Sequence, residues 1–405
     1  MINKTIHRLV RRHHHWRDMK FDEISEIYTS MTLRSFGFSI IGVFVPVYLY
    51  QQGVDINSIL WFYVAFFSIR IPFAYIAGKY IGKIGPKHAI AVSNVLTIAF
   101  LLMLLSYSRY DWNLLGLATI FTMANGLFFI AYHADFSSIQ HKKHGGKELG
   151  WLFIFERAGA AAGPFIGGLT ATLISPEFTI GMALVILMIS LIPLFMTAEP
   201  IKTHMKIDYS KVPRRVIKED AIPMGAMNVI WMATAVFWPL YIAVYIFDQD
   251  VYATLGSIIS ISILISMISA HLSGKFIDDK KARPLLKFSI FVGMIVAAGR
   301  SIITATSGAV VVSAFDQPNM VVNRMVMTKA YYDRAESMKD NRIAYLAVME
   351  MFVSVVKVFA ALFVLICATI FDPQTAFRIC FVVLGAMGVF MLNNTFPLLK
   401  KGSKK

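Results

Sequence analysis

The sequence predicts an all-α membrane protein of twelve transmembrane helices, arranged as two pseudo-symmetric six-helix bundles. Three observations lead there. Apolar runs such as 56–77, 90–107, 182–196 and 258–272 recur along the 405 residues, and a helix needs ~20 mainly apolar residues to cross ~30 Å of hydrocarbon. Lysine and arginine crowd into every second connection. Short motifs recur at an offset close to half the chain. Composition agrees, with 57% of residues hydrophobic and only 16% charged.

The elements follow in order. Residues 1–27 form a basic segment in which Ile2, Ile6, Leu9 and Val10 stand among arginines, the pattern of an interfacial helix on anionic headgroups. A cleavable signal peptide is not expected, because a short apolar core and a small-residue cleavage site are lacking. The run His13–His15 has no carboxylate or thiolate partners at fixed spacing, so it reads as a solvated patch; no metal and no cofactor are expected. Six spans at 28–50, 56–78, 88–107, 112–133, 149–173 and 178–197 build a first bundle, 28–197. A polar linker, 198–221, carries Pro200 and Pro213 and acts as a strap between moving bundles. Spans at 222–246, 252–273, 286–306, 308–329, 342–370 and 374–397 build the second bundle, 222–397, ahead of a basic tail, 398–405. Membrane strands are excluded, since the runs lack two-residue alternation and far exceed ~10 residues. Cys367 and Cys380 lie within spans and imply no disulfide framework.

Orientation comes from the bases. The N-terminal segment, the loops after spans two, four, six, eight and ten, and the tail are all basic, whereas the loops opposite carry only Arg109. The positive-inside rule then puts both termini of this multi-pass protein in the cytoplasm, and the short loops and minimal linker lead us to expect a prokaryotic cytoplasmic membrane. The net charge of +15 reports this topology and not a nucleic-acid partner. The expected partners are the lipid bilayer, a small-molecule substrate and protons, with the chain acting as a monomer.

The internal repeat appears three times. Gly78-Lys79-Tyr80-Ile81 returns as Gly274-Lys275-Phe276-Ile277. The stretch from Gly150 to Glu156 returns as Ala344 to Glu350, and Asn125 falls on Asn319 at that same offset. Two parallel halves of this kind enclose a site near the membrane midplane. In span five, Gly159-Ala160-Ala161-Ala162-Gly163-Pro164-Phe165-Ile166-Gly167-Gly168 places small residues at spacing four, which lets helices approach closely. This string resembles the span-five signature of the major facilitator superfamily, associated with its proton-linked drug exporters. The loop from Gly78 through Gly85 to Lys87 resembles the same family's loop between spans two and three. It departs from the pattern in having Gly82 at the acidic position and Pro86 at a basic one. The second-half copy keeps its acid, Asp278. The resemblance implies alternating-access transport, with Asp278 in the charge pairing that latches the inward-closed state.

Ionisable groups inside spans carry the functional reading, because each costs roughly 2.5–3.5 kcal/mol at a helix centre. Glu156 and Glu350 are symmetry mates ~10–12 Å deep at 1.5 Å per residue, candidates for proton coupling or for ion pairs with Arg70, Arg157 or Arg300. Adjacent on one helix, Glu156 and Arg157 are expected to diverge, one to a neighbouring helix and one to a cavity. Lys357, seven residues after Glu350, sits too deep to snorkel and calls for a partner or an anionic group. Asp316-Gln317-Pro318-Asn319 breaks the ladder of span ten and offers donors and acceptors. Asp316 joins the two glutamates as a proton-coupling or charge-pair candidate. Arg70, Asn125, Arg157, Arg300, Asn319 and Lys357 are expected around the substrate cavity, with Trp61, Phe66, Trp231, Phe237 and Trp238 as stacking surfaces.

The chain holds no P-loop string, no H-E-x-x-H pair and no nucleophile elbow. An enzyme is therefore not expected, a membrane-embedded lipid-modifying enzyme being the remote alternative. The favoured function is a secondary carrier exporting a small organic solute against protons. The alternative is a proton symporter importing a nutrient or organic anion.

Overall fold

The computed structural model describes residues 23–42, 44–139, 145–196, 201, 203–247, 250–392 and 396–399. The proposed interfacial helix, the histidine run and most of the basic tail lie outside these residues. Helix α1 runs Glu23–Gly42 and resumes as Val45–Gln51, with Pro46 in the new first turn. Then come α2 (Ile56–Ile84), α3 (Pro86–Leu105), α4 (Leu114–Ile139) and α5 (Gly145–Leu173). Helix α6 is Pro176–Ile189 continued by Leu191–Leu194. Helix α7 runs Arg214–Met232, widens into a π-turn at Ala233–Phe237 and continues as Trp238–Tyr245. The rest are α8 (Val251–Asp278), α9 (Ala282–Ile302), α10 (Thr306–Ser337), α11 (Arg342–Ile370) and α12 (Pro373–Ala386, extended by Met387–Leu392). No strand occurs among the described residues.

Local chemistry sets the ends. Asp55 accepts the Ser58 amide at 3.0 Å to start α2, and Ser175 accepts that of Phe178 at 3.1 Å to start α6. Asp372 does the same for α12 through Thr375 at 3.0 Å, with Pro373 in the first turn. Gly85, at φ 90°, joins α2 to α3 in a single-residue corner that only glycine adopts without strain. The supposed loop from Gly78 to Lys87 is therefore helical on both sides of one residue. Likewise α7 begins at Arg214, eight residues inside the segment expected to be linker, because Pro213 presets the entry φ.

Ten helices among the described residues are long and apolar enough to cross a membrane; the two that fall short are α5 and α10. Those two bear Glu156, Arg157, Asp316 and Arg324, and they hide charge in the interior. Large exposed side chains, including Trp61, Ile268, Phe288, Phe315 and Phe359, are apolar, as a lipid-facing surface requires.

Packing is internally duplicated. Helix α1 packs on α5 and α6, and α4 on α2 and α3; six helices later, α7 packs on α11 and α12, and α10 on α8 and α9. Between the first six and the last six, the main contacts are α5 on α8 and α2 on α11, which exchange under the same shift of six. Small residues make these contacts close. A Cβ on Gly159 or Gly167 would fall on the carbonyl oxygens of Thr32 or Ile40, one on Gly163 on the Ser39 hydroxyl, and one on Gly168 on the Tyr252 carbonyl. Across the α5–α8 contact, a Cβ on Gly256 would strike the carbonyl of Pro164. The glycine string of α5 thus serves α1 with one face and α8 with the next.

Candidate functional site

Where α2 meets α11 and α5 meets α10, the two halves share a charged seam. Arg70 on α2 reaches Glu350 on α11 with Nε–Oε1 2.6 Å, their side chains 4% and 14% exposed. Glu156 on α5 faces Arg324 on α10 at 3.8 Å. Arg157 donates to Gln317 Oε1 on α10 at 2.9 Å. Lys357 on α11 points its ammonium toward Phe67 of α2, 5.3 Å from the ring centre, and Trp231 of α7, 5.5 Å away. Rings line the arginines as well: Phe66 and Phe129 beside Arg70, and Phe153 beside Arg324. These rings offer cation–π attraction without neutralising charge.

The adjacent pair Glu156 and Arg157 does not diverge as expected. Both reach α10, because Arg324 and Gln317 stand seven residues apart on one of its faces and the arginine stem is long enough to reach the further one. Asp316 and Asn319 occupy a different face of α10. Asp316 pairs with Arg300 of α9 and accepts a bond from Thr234, to which Arg300 also donates at 2.8 Å. Thr234 lies in the π-turn of α7, a wide turn of the kind that re-aims side chains. Asn319 accepts from Ser289 of α9 at 2.8 Å. Arg300, Asp316 and Asn319 therefore border a small pocket inside the last six helices, together with Ile230, Phe381 and Asn323, and not the seam. Asn125 donates to Phe121 of its own helix at 3.0 Å. On α1, Arg34 donates to Asn94 Oδ1 at 2.8 Å and lies over Phe128, its guanidinium carbon 3.4 Å from the ring centre.

On the side bearing the basic loops, the halves are closed by backbone contacts. Asp278, at the end of α8, accepts the Lys147 amide at 3.1 Å. That amide is one of the orphan donors opening α5, where a negative charge also meets the positive helix end. Gly274 lies against Gly150 of α5. The pseudo-equivalent corner is handled differently. Linker residues cross it with His204 N to Lys83 O at 3.1 Å and Met205 N to Gly82 O at 2.8 Å. Ile207 fills the space above Gly82, where a Cβ would approach it to 2.6 Å. Tyr209 donates to the Tyr75 carbonyl at 2.6 Å and abuts Gly78, beside Ala347 of α11. Burial holds its phenol up at about 12, so it stays a donor. A glycine at the motif's acidic position thus makes room for the strap.

Three contributors gain their roles only in the structure. Arg324, an in-span base for which snorkelling and cavity-facing readings are both open in the sequence, is the partner of Glu156; Gln317 serves Arg157 apart from its neighbours in the tetrad; and Thr234 carries no signal in the sequence. His133 of α4 meets the hydroxyl of Tyr332 of α10 at 2.7 Å, a further cross-half contact. No group of three His, Cys, Asp or Glu able to hold a metal occurs among the described residues.

A family model described as Major Facilitator Superfamily matches residues 27–327. Multidrug resistance protein MdtG of Proteus mirabilis (strain HI4320) is 32% identical over 170 residues, which cover 40% of this chain and 42% of that protein. The chain thus spans under half of that relative's length. Among solved structures, the Major Facilitator Superfamily transporter FucP in its outward conformation matches with a TM-score of 0.63 at 13% identity, over 91% of this chain and 98% of FucP. The human organic anion transporter MFSD10 (TETRAN) matches with a TM-score of 0.67 at 11% identity, over 93% of this chain and 98% of MFSD10. At such identities the likeness establishes the fold alone.

Proposed function

We infer that this chain, which belongs to the Major Facilitator Superfamily, exports a small organic solute in exchange for protons. It is a membrane transporter and not an enzyme. The observation that carries the finer reading is that Glu156 and Glu350, symmetry mates, each pair with an arginine from the opposite half. Separation of the halves must break both pairs. Protonating the carboxylate discharges it and lowers the cost of breaking, which ties opening to proton uptake. The basic loops support cytoplasmic termini. The MdtG relative, named for multidrug resistance, supports export.

Reconstituted vesicles with an imposed pH gradient test this. Antiport predicts that an amphiphilic probe accumulates when the lumen is the acid side. Accumulation only when the outside is acid would replace antiport by symport. Glu350→Gln is expected to abolish the dependence on pH while leaving exchange of bound substrate measurable; an unchanged pH profile would remove Glu350 from the coupling.

A further inference from the structure

The charges of the seam do not balance. Arg70, Arg157, Arg324 and Lys357 stand there against two carboxylates, Glu156 and Glu350, and Arg34 of α1 adds a further positive charge within electrostatic range of Glu156. Glu350 is engaged by Arg70 and Glu156 faces Arg324. Asp316, the next acid, is spent on Arg300 inside the last six helices. Among the described residues Arg157 donates to the neutral amide of Gln317 and Arg34 to that of Asn94, and neither forms a salt bridge of its own, although both lie within electrostatic range of Glu156. Lys357 is 4% exposed, and among the described residues its ammonium meets two ring faces and no carboxylate or hydrogen-bond acceptor. These groups form one electrostatic cluster: Lys357 feels Glu350, Arg70 and Arg324, while Arg157 feels Arg324, Glu156 and Asp316.

A buried cation without a counter-charge is costly, and the cost falls when an anion arrives. We propose that the solute carried by this protein is an aromatic organic anion, its charged group taken by Lys357 and its ring by Phe67 and Trp231. The rings come from α2 and α7, one from each half, so such a ligand touches both halves at once. A polar cation has no free carboxylate to meet in this cluster. The proposal rests on the carrier reading above and adds to it the charge of the cargo.

Equilibrium binding to the full chain, purified in a non-ionic detergent, tests the proposal without any gradient or vesicle. The probes share one ring system: 1-naphthalenesulfonate, its neutral N,N-dimethylsulfonamide, and trimethyl(naphthylmethyl)ammonium. The sulfonate is expected to bind ~10-fold or more tightly than either of the others, the usual worth of a charge-assisted hydrogen bond. Lys357→Met should erase that preference, costing the sulfonate at least ~10-fold more affinity than the sulfonamide, and Lys357→Arg should keep most of it. Arg157→Gln, which leaves Lys357 in place, should weaken the sulfonate by a smaller factor. Preference for the ammonium, absence of sulfonate binding, or an equal loss for all three probes in Lys357→Met would overturn the proposal. A cationic preference would do so while leaving transport by this chain intact, so the two readings fail separately.

Discussion

Replacing Glu350 with glutamine should loosen the seam on the side of the basic loops. The substitution keeps shape and removes charge, leaving Arg70 buried between Phe66 and Phe129 with no carboxylate. Breaking a buried pair by removing one partner costs about 3–5 kcal/mol. Glu350 retains 14% side-chain exposure, and the rings partly satisfy the guanidinium, so about 2–3 kcal/mol is a fair expectation here. That energy is lost only where the halves are in contact. At about 1.4 kcal/mol per factor of ten, it enlarges the open population ~30- to ~150-fold. Met325 reports it: the residue is fully buried on α10, with its methyl 3.6 Å from where a Cβ on Gly150 would stand. In a background lacking Cys367 and Cys380, the maleimide labelling rate of Met325→Cys should rise by that factor when Glu350→Gln is added. A rate within about twofold of the parent would refute the assignment of Arg70–Glu350 as a clasp between halves.

Other substitutions probe the neighbouring contacts. Gly256→Val drives a side chain into the Pro164 carbonyl, so it should cost at least ~1–3 kcal/mol in thermal stability. Gly181→Ala, with nothing within 4 Å of its Cβ, should change stability by under ~0.5 kcal/mol. Gly82→Val should dislodge the strap from Ile207 and Met205, seen as faster tryptic cleavage at Lys206 and Lys211; unchanged cleavage would show that the strap does not depend on this glycine. For the internal pair, Arg300→Met or Asp316→Asn alone should each destabilise by about 3–5 kcal/mol. The double variant should lose much less, because no buried charge is left alone.

The architecture was readable because bilayer physics writes it in one dimension, as span length and as the side on which bases fall. Helix ends were not, since hydropathy stops at the membrane surface while the helix does not: α2 continues to Ile84 and α10 to Ser337, past the apolar stretches ending near 78 and 329. Lys357 as a buried cation was readable, and so was Arg70 as one partner of Glu350 among several. The pairing itself depends on how each helix is rotated. On α10 the spacing held that information. Asp316, Asn319 and Asn323 recur at three and seven residues and form one face, while Gln317 and Arg324, seven apart, form the next. Taking the tetrad from 316 to 319 as one polar patch merged two faces that serve different sites. Thr234 gave no sign, because a π-turn leaves no mark in composition.

Proton movement driven by solute is the most direct test of the whole account. Vesicles containing the purified protein and a luminal pH dye, with equal K+ and equal pH on both sides at the start and valinomycin to compensate the charge carried by anion entry and proton exit, would receive the three naphthalene probes from outside. The account predicts that 1-naphthalenesulfonate makes the lumen more alkaline, as protons leave while the anion enters, and that Glu350→Gln abolishes this. A lumen that turns acid, or that does not respond to any probe although the protein binds one, would contradict it.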